Sequence, residues 1–467
     1  MAWGGGVFTL HLLLYKTLGY PELGYLLHID TTKFFGPVIN YDTHNVKAEF
    51  KVDNNDIATV TAYGFLKFKR PGTVVLTATC SASENCAKAQ CSTTVTTKRD
   101  GVTFTSEGLP DVIFNNTSYC IRNYLYNSKT KSGGNFHANG SFSVTSSNNA
   151  ILRYDDLWLK FSGTAGEATI TFTQKETNFY EATTFSHTFI VARRDQYGTI
   201  LIKDANEWKV FCKLVNEKGM TNLNARLEAD IDLGGDIAMV GNNYAGTFDG
   251  QNHTLKFNRN GGSDSEIAPF KKVSNATIKN LRTEGTIKSS SYYLSGLVGD
   301  AYGTVNISNC ASNVNITSSH TGGRCDAAGM ISYIGGSANI TITDCLVEGN
   351  ITAMTDEGKK RMGGFIYNKN GSCTLANCLY VGTNNATSGN TFAYNATIKN
   401  CYYLNACGTA QGEQVTKDQL KNGYVAYQLQ AGRNDQVWGQ AFGSNAPQLT
   451  ADRSEEHTSE LQSLVII

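Results

Sequence analysis

Residues Ile267 to Cys407 repeat themselves, and an internal repeat restricts the fold more than any local propensity does. Aligned on one Asn or Asp, five copies fall into register at Asn280, Asn309, Asp344, Asn377 and Asn400. Two residues before each anchor stands Ile278, Ile307, Ile342, Leu375 or Ile398, and four before stands Ala276, Val305, Ile340, Cys373 or Ala396. Leu281, Cys310, Cys345, Cys378 or Cys401 follows directly. Seven after, three copies carry Ile287, Ile316 and Ile351, while the last two drift to Asn384 and Cys407. Apolar residues two apart describe a strand with one buried face. Asn and Asp enter the left-handed backbone region at little cost, so each anchor can bend the chain and turn the next residue back inside. The anchors lie 29, 35, 33 and 23 residues apart. That is enough chain for one coil stacked on the next at about 4.8 Å. The pattern predicts a right-handed parallel β-helix, with an Asn ladder beside a Leu-Cys-Cys-Cys-Cys ladder.

A second repeated element lies upstream of the anchors: Gly296-Leu297-Val298-Gly299, Gly329-Met330-Ile331 and Gly363-Gly364-Phe365-Ile366, with Phe392-Ala393-Tyr394 as an eroded copy. Glycine there is expected to let the coil turn tightly before an apolar strand enters the core. Together, the two elements resemble the GLUG-motif repeats of bacterial surface proteins. The resemblance implies a β-helical, pectin-lyase-like solenoid and is poor in information about activity, because such repeats accompany adhesins and some secreted peptidases alike.

The rest of the chain reads as strands. Forty basic and forty acidic residues cancel, which leaves no bulk charge to hold nucleic acid or an anionic membrane. Glycine is abundant at 46 and proline scarce at 6, a composition suited to an all-β extracellular protein. In residues 26–98, the stretches Asn54 to Val60, Gly64 to Lys67 and Pro71 to Thr79 show period-two alternation between turn residues. They resemble a bacterial Ig-like (Big) domain. Residues 99–194 repeat that logic less faithfully, through Phe142 to Asn148 and Ala165 to Phe172, and are expected to form a second Ig-like sandwich. Such modules are mostly spacers and stalks.

The capped solenoid is expected over residues 197–450. Asp204 and Glu207 open a helix that carries Trp208, Phe211, Cys212 and Val215 on one face, read as the N-terminal cap, with Ala229, Ile231 and Leu233 beginning the first coil. Thr247 to Leu255 resembles the entry strand-turn-strand common ahead of GLUG-type repeats. Thr416 with Gln419 forms a second capping box, after which Leu420, Tyr424 and Tyr427 share a face and Trp438, Phe442 and Leu449 close the bottom.

Residues 1–25 are left unassigned. Val7 to Leu14 is apolar but lacks a preceding Lys or Arg and a following small-residue cleavage site, and is too short to span a bilayer. It reads as a strand of the first domain or a mis-called start on a fragment. Residues 451–467 form a non-native tail in this reading, because Arg453 to Ser463 looks like a translated sequencing adapter. The native chain is then expected to continue past Thr450.

The search for chemistry is mostly negative. Cys310, Cys345, Cys378 and Cys401 read as stacked buried thiols rather than disulfides or zinc ligands. A Cys80–Cys91 bridge near Cys86 would suit an oxidising compartment. Glu228, Asp230 and Asp232, with Asp236 close after, are the cation-site candidates, or a glycosidase-like pair. The favoured reading is a solvated outer face opposite Ala229, Ile231 and Leu233. His253 beside Asp249 reads as a turn residue, and Lys359-Lys360-Arg361 as a loop charge cluster. Tyr292, Tyr293, Tyr302, Tyr333, Tyr380 and Tyr402 are sugar-stacking candidates wherever they share an exposed face. No catalytic residue and no cofactor is assigned.

The expectation is a secreted or cell-surface, non-enzymatic, monomeric scaffold, adhesin-like or glycan-facing, whose partners are glycans or extracellular matrix proteins. The alternatives are a β-helical polysaccharide lyase or hydrolase, or an accessory region of a larger secreted peptidase.

Overall fold

The computed structural model describes residues 12–13, 26–29, 48–62, 66–80, 89–130, 142–178, 180–235, 238–261, 264–322, 326–367 and 370–450. These form two compact units: the described residues up to Ile113 with Thr117–Ser162 and Ala168–Phe189, and Phe114–Asn116 with Gly163–Glu167 and the chain from Ile190. The fold is all-β, with antiparallel sandwiches ahead of a parallel β-helix that carries short capping helices.

The first sandwich faces a four-stranded sheet (Leu12–Leu13, Leu26–Ile29, Leu66–Phe68, Ala58–Val60) against a three-stranded one (Ala48–Val52, Gly72–Cys80, Ala89–Thr97). Its core is Ala58, Leu66, Phe68, Val74, Leu76, Ala78 and Val95, and the run 74, 76, 78 shows the period of two at work. Register sets Cys80 opposite Ala89 and Cys91 opposite Ala78. The side chains of Cys80, Cys86 and Cys91 lie outside the described residues, as does the tail from residue 451. The second sandwich has a four-stranded sheet (Phe142–Ser146, Gly166–Gln174, Thr183–Ala192, Val112–Phe114) and a three-stranded one (Ser118–Cys120, Trp158–Phe161, Leu152–Asp155). A short helix, Arg122–Asn127, interrupts it.

The solenoid has three walls. Wall one is eight parallel strands: Ile200–Ile202, Ala225–Leu227, Thr247–Asp249, Thr277–Lys279, Thr304–Ser308, Asn339–Thr343, Ser372–Ala376 and Ala396–Lys399. Their inward residues form one row, Ile200, Ala225, Phe248, Ile278, Ile307, Ile342, Leu375 and Ile398, each opposite the next. Wall two is nine-stranded, its main path beginning at Ile231–Asp232 and ending at Glu413–Gln414. Wall three is two short parallel sheets, one containing Glu266–Ile267, Tyr293–Ser295 and Asp326–Ala328, the other Phe270–Ser274, Val298–Tyr302 and Ile331–Ile334.

The anchors behave as their chemistry requires. Asn280, Asn309, Asp344, Asn377 and Asn400 all have left-handed backbones, with φ between 49° and 54°. The ladder is a hydrogen-bonded stack: Asn280 Nδ2 donates to Asp249 (2.9 Å), Asn309 Nδ2 to Asn280 (2.8 Å) and Asn400 Nδ2 to Asn377 (2.8 Å). Asp344 has no amide to donate, and Asn309 Oδ1 is left buried without a partner. Its carboxylate instead accepts from Arg433 (2.6 Å) and the Trp438 indole (3.2 Å), both in the C-terminal cap. The cysteines after the anchors are buried free thiols. Each Sγ–H faces the carbonyl two residues back, at 3.2–3.3 Å, and one from the preceding coil at 3.6–3.9 Å.

Three expectations need correction. The solenoid begins before its cap helix, not after it: strand Ile200–Ile202 is the first rung, and the helix Ala205–Asn216 follows it. A three-residue run is too short for periodicity to reveal. The motif glycines do stand where the coil bends, but a left-handed backbone is not the reason. Gly296, Gly329 and Gly364 lack positive φ, but a Cβ on each would sit 2.3–2.5 Å from a carbonyl of the next coil, those of Gly329, Gly364 and Thr391. Glycine is there because two backbones meet. Gly329→Ala should therefore cost about 1–3 kcal/mol in a denaturant melt, and an unchanged midpoint would remove this explanation.

The third correction concerns the C-terminal cap. Thr416 and Gln419 form the reciprocal capping box and Leu420 is buried, but Gly423 at φ 84° ends that helix and starts a second, Tyr424–Gln430, in another register. Val425, Ala426 and Leu429 face inward, whereas Tyr424 and Tyr427 face out. Trp438 and Leu449 close the solenoid as expected, while Phe442 is 95 % exposed.

Candidate functional site on the third wall

The carboxylates singled out in the sequence stand apart from one another. Glu228 joins Arg193 and Arg226 (3.9 Å) in a network that also holds buried Glu207 (2.9 Å to Arg193) and Asp195 (2.9 Å to Arg226). Asp230 accepts from the Thr254 backbone N–H (2.7 Å) and meets His253 Nδ1 at 3.3 Å. Asp232 accepts from the Gly234 N–H (2.9 Å) and faces Lys256 at 3.7 Å. Asp236 lies outside the described residues. Among the described residues no three His, Cys, Asp or Glu side chains converge as a metal site. His253 sits in a turn, its N–H bonded to Gly250 (2.8 Å), while Asp249 is taken by Asn280 and Lys279.

The tyrosines divide in two. Tyr380 and Tyr402 are buried, on wall two. Tyr292, Tyr293, Tyr302 and Tyr333 gather on wall three, although register sets Tyr293 beside Glu266 and Asp326, Tyr302 beside Ser274 and Tyr333 beside Asp300, so no two of the rings hold equivalent positions. Tyr293 and Tyr333 have ring centroids 5.3 Å apart, Tyr302 and Tyr333 6.3 Å, and Tyr292 and Tyr293 6.5 Å. His320 meets Tyr292 edge-on at 4.9 Å. Lys272 Nζ lies 4.9 Å over the Tyr302 ring.

Beneath this strip is a residue that sequence reading missed. Asp300 is 6 % exposed, and register places it directly between Lys272 and Tyr333. The nearby Tyr302 hydroxyl favours its charged form, yet Oδ1 has no hydrogen-bond partner. Burial, and then the negative charge of Glu266, push Asp300 up to about 7. Glu266 reaches across because Gly299 makes room: a Cβ there would lie 3.0 Å from the Glu266 Cβ. Lys271 holds Glu266 (3.6 Å) and Asp264 (3.2 Å) at the edge of the group. Burial and the Asp300 charge push the Tyr302 hydroxyl up to about 12, so it stays a donor.

Arg361 is more than a loop charge. It pairs with buried Asp326 at 2.6 Å and stacks over Tyr367 at 5.4 Å, in the coil next to the tyrosine strip. The wall thus combines aromatic faces, an acid raised toward neutrality, a second carboxylate and lysines. Chemically it can stack against a sugar ring and hydrogen-bond its hydroxyls.

No protein-family model matches the chain, and no curated protein does. Among solved structures it is similar to "a putative immunoglobulin A1 protease from Bacteroides ovatus", at 16 % identity and TM-score 0.38, over 55 % of this chain and 94 % of that one. It is also similar to an "IgA1 Protease", at 12 % identity and TM-score 0.26, covering 60 % of this chain and 30 % of the other. A third likeness is to "the S-layer protein rSbsC(31-844)", at 16 % identity and TM-score 0.20, over 32 % and 21 %. No described helix is long and apolar enough to cross a membrane.

Proposed function

We propose that this chain is a secreted or cell-surface binding and display scaffold, in which Ig-like modules accompany a β-helix whose third wall contacts glycans. The observation that carries this reading is the gathering of Tyr292, Tyr293, Tyr302 and Tyr333 on one outer wall. Aromatic side chains in contact across successive coils offer a platform several residues long, while the core tyrosines take no part. The GLUG-like and Big-like stretches and the Asn/Thr/Ser-rich composition support display outside the cell. Screening the full chain against a glycan array tests the reading. Tyr292→Ala and Tyr333→Ala are expected to weaken the best hit by about tenfold each, since one lost stacking contact is worth about 1 kcal/mol or more. Binding that ignores both substitutions would reject the third wall as the contact face.

One observation favours a second reading, that of a β-helical polysaccharide hydrolase. Asp300 holds its proton near neutral pH beside the carboxylate Glu266, the pairing that general acid catalysis uses. New reducing ends released from a polysaccharide by the purified chain, and lost in Asp300→Asn, would decide for it.

A further inference from the structure

The C-terminal cap contains a cavity of about 840 Å³, between the helix Tyr424–Gln430 and the segment 431–443. Trp438 forms part of its lining and is itself 1 % exposed. Tyr427 and Phe442 also line it, and they are 61 % and 95 % exposed. The size falls in the range of small-ligand sites, roughly 300–1,000 Å³.

The walls are fastened rather than loosely placed. Gln430 accepts from the backbone N–H groups of Val437 and Trp438 (2.9 Å each) and donates to Asp435 O (2.8 Å). Gln440 Nε2 donates to Lys421 O (3.3 Å) and Ser444 O (3.0 Å), which also fixes the orientation of its amide. Gly423, Gly432 and Gly443 hold left-handed turns around the cavity, at φ 84°, 74° and 82°. Exposed aromatic rings on so well-tied a frame are a standing cost in water, which a ligand ring would relieve.

The charge of the lining selects among ligands. It includes Lys421 and Arg433 but no Asp or Glu. Arg433 Nη1 is taken by Asp344 and its Nη2 is buried, which leaves Lys421 as the cation open to a ligand. The remaining polar groups are amides, among them Asn422, Asn434 and Gln436, which serve sugar hydroxyls as both donors and acceptors. We propose that this cavity binds a carboxylated pyranose, a uronate-type sugar, with the ring against Tyr427 and Phe442 and the carboxylate toward Lys421. The site is separate from the tyrosines of wall three and does not depend on their role.

Isothermal titration of the full chain with a glucuronate or galacturonate oligosaccharide tests this, with the matching neutral hexose oligosaccharide and benzoate as comparisons. The uronate is expected to bind at least about tenfold more tightly than either. Phe442→Ala should weaken it about tenfold, and Lys421→Glu should weaken the uronate without weakening the neutral sugar. Both side chains are exposed, so the variants should melt within about 0.5 kcal/mol of the parent. Equal or tighter binding of the neutral sugar overturns the charge assignment, and equal binding of benzoate overturns the sugar. Uronate binding untouched by both substitutions, or no heat with uronate up to about 10 mM, overturns the site. Tyr333→Ala should leave this titration unchanged, so failure of the third-wall reading and failure of this one give different results.

Discussion

Cys345→Asp is expected to unfold the solenoid, whereas Cys345→Ala should lower its stability by only about 1–2 kcal/mol. The thiol is fully buried and two carbonyl oxygens face it: Thr343 O lies at 3.2 Å and Ile307 O at 3.9 Å. A thiol can point its weak donor at them. An ionised carboxylate there would face oxygen against oxygen, and Arg282, the cation nearby, already donates to Asn309 O (2.8 Å) and Asn252 (3.3 Å), so the carboxylate must either stay protonated or push the coils apart. Either route costs about 4 kcal/mol or more, a large share of the stability of a domain. Burial, with the Cys310 thiol beside it, already pushes the native Cys345 thiol well up, so a charge at this position is disfavoured. Alanine only leaves a small void and withdraws a weak bond from two carbonyls that already serve the strand ladder. Thermal or urea melts followed by far-UV circular dichroism separate the two outcomes. Equal tolerance of both substitutions would mean that the cysteine row does not face inward.

That row was legible because its cause is local. An Asn or Asp that takes φ near 50°, an apolar residue two before it and a small one directly after are all read within one coil. Stacking then repeats that local answer in each turn, so five weak signals reinforce one another. What could not be read are the features whose cause lies in a different coil. The glycines at 296, 329 and 364 have nothing unusual in their own backbone angles; the carbonyls that exclude a Cβ belong to residues about thirty positions on. Asp344 breaks the Asn ladder for the sake of Arg433 and Trp438, far along the chain in the cap. The outward turn of Tyr427 follows from the single left-handed Gly423, which resets the helical register that a periodicity count carries straight through.

The third wall shows the same division. Six tyrosines were named from the sequence, but spacing alone could not sort the four that meet outside from the two in the core, because the loops between wall three and the anchors vary in length. Asp300 was passed over for the same reason. Its own neighbours, Gly299 and Ala301, say little, and its environment is assembled from Glu266, Lys272, Tyr302 and Tyr333 on three coils. The carboxylates that alternate so visibly at 228, 230 and 232 each have a partner of their own and share no ligand position.

Asp300→Asn is expected to stabilise the protein, and to do so only above the acid range. Unfolded, Asp300 should titrate near the ordinary aspartate value of about 3.9. Folded, burial and the charge of Glu266 raise it to about 7. Between those values the folded state retains a proton that the unfolded chain has released. Stability must therefore fall as pH rises through that window, and the penalty is complete above pH 7. Removing the ionisable group removes the penalty. The variant and the parent should have similar stability near pH 4 and diverge as pH rises. Near pH 8 the variant should lead by roughly 2–4 kcal/mol, the order set by a shift of this size in a group so nearly buried. Urea melts from pH 4 to pH 8 measure the difference directly. Parallel stability curves for the two proteins would mean that Asp300 titrates like a solvated aspartate, and an acid poised under the tyrosine strip would then have no basis. A gap that opens across the window would instead make any ligand contact at this wall pH-sensitive, since a hydroxyl donated to Asp300 is held more strongly by the carboxylate than by the acid.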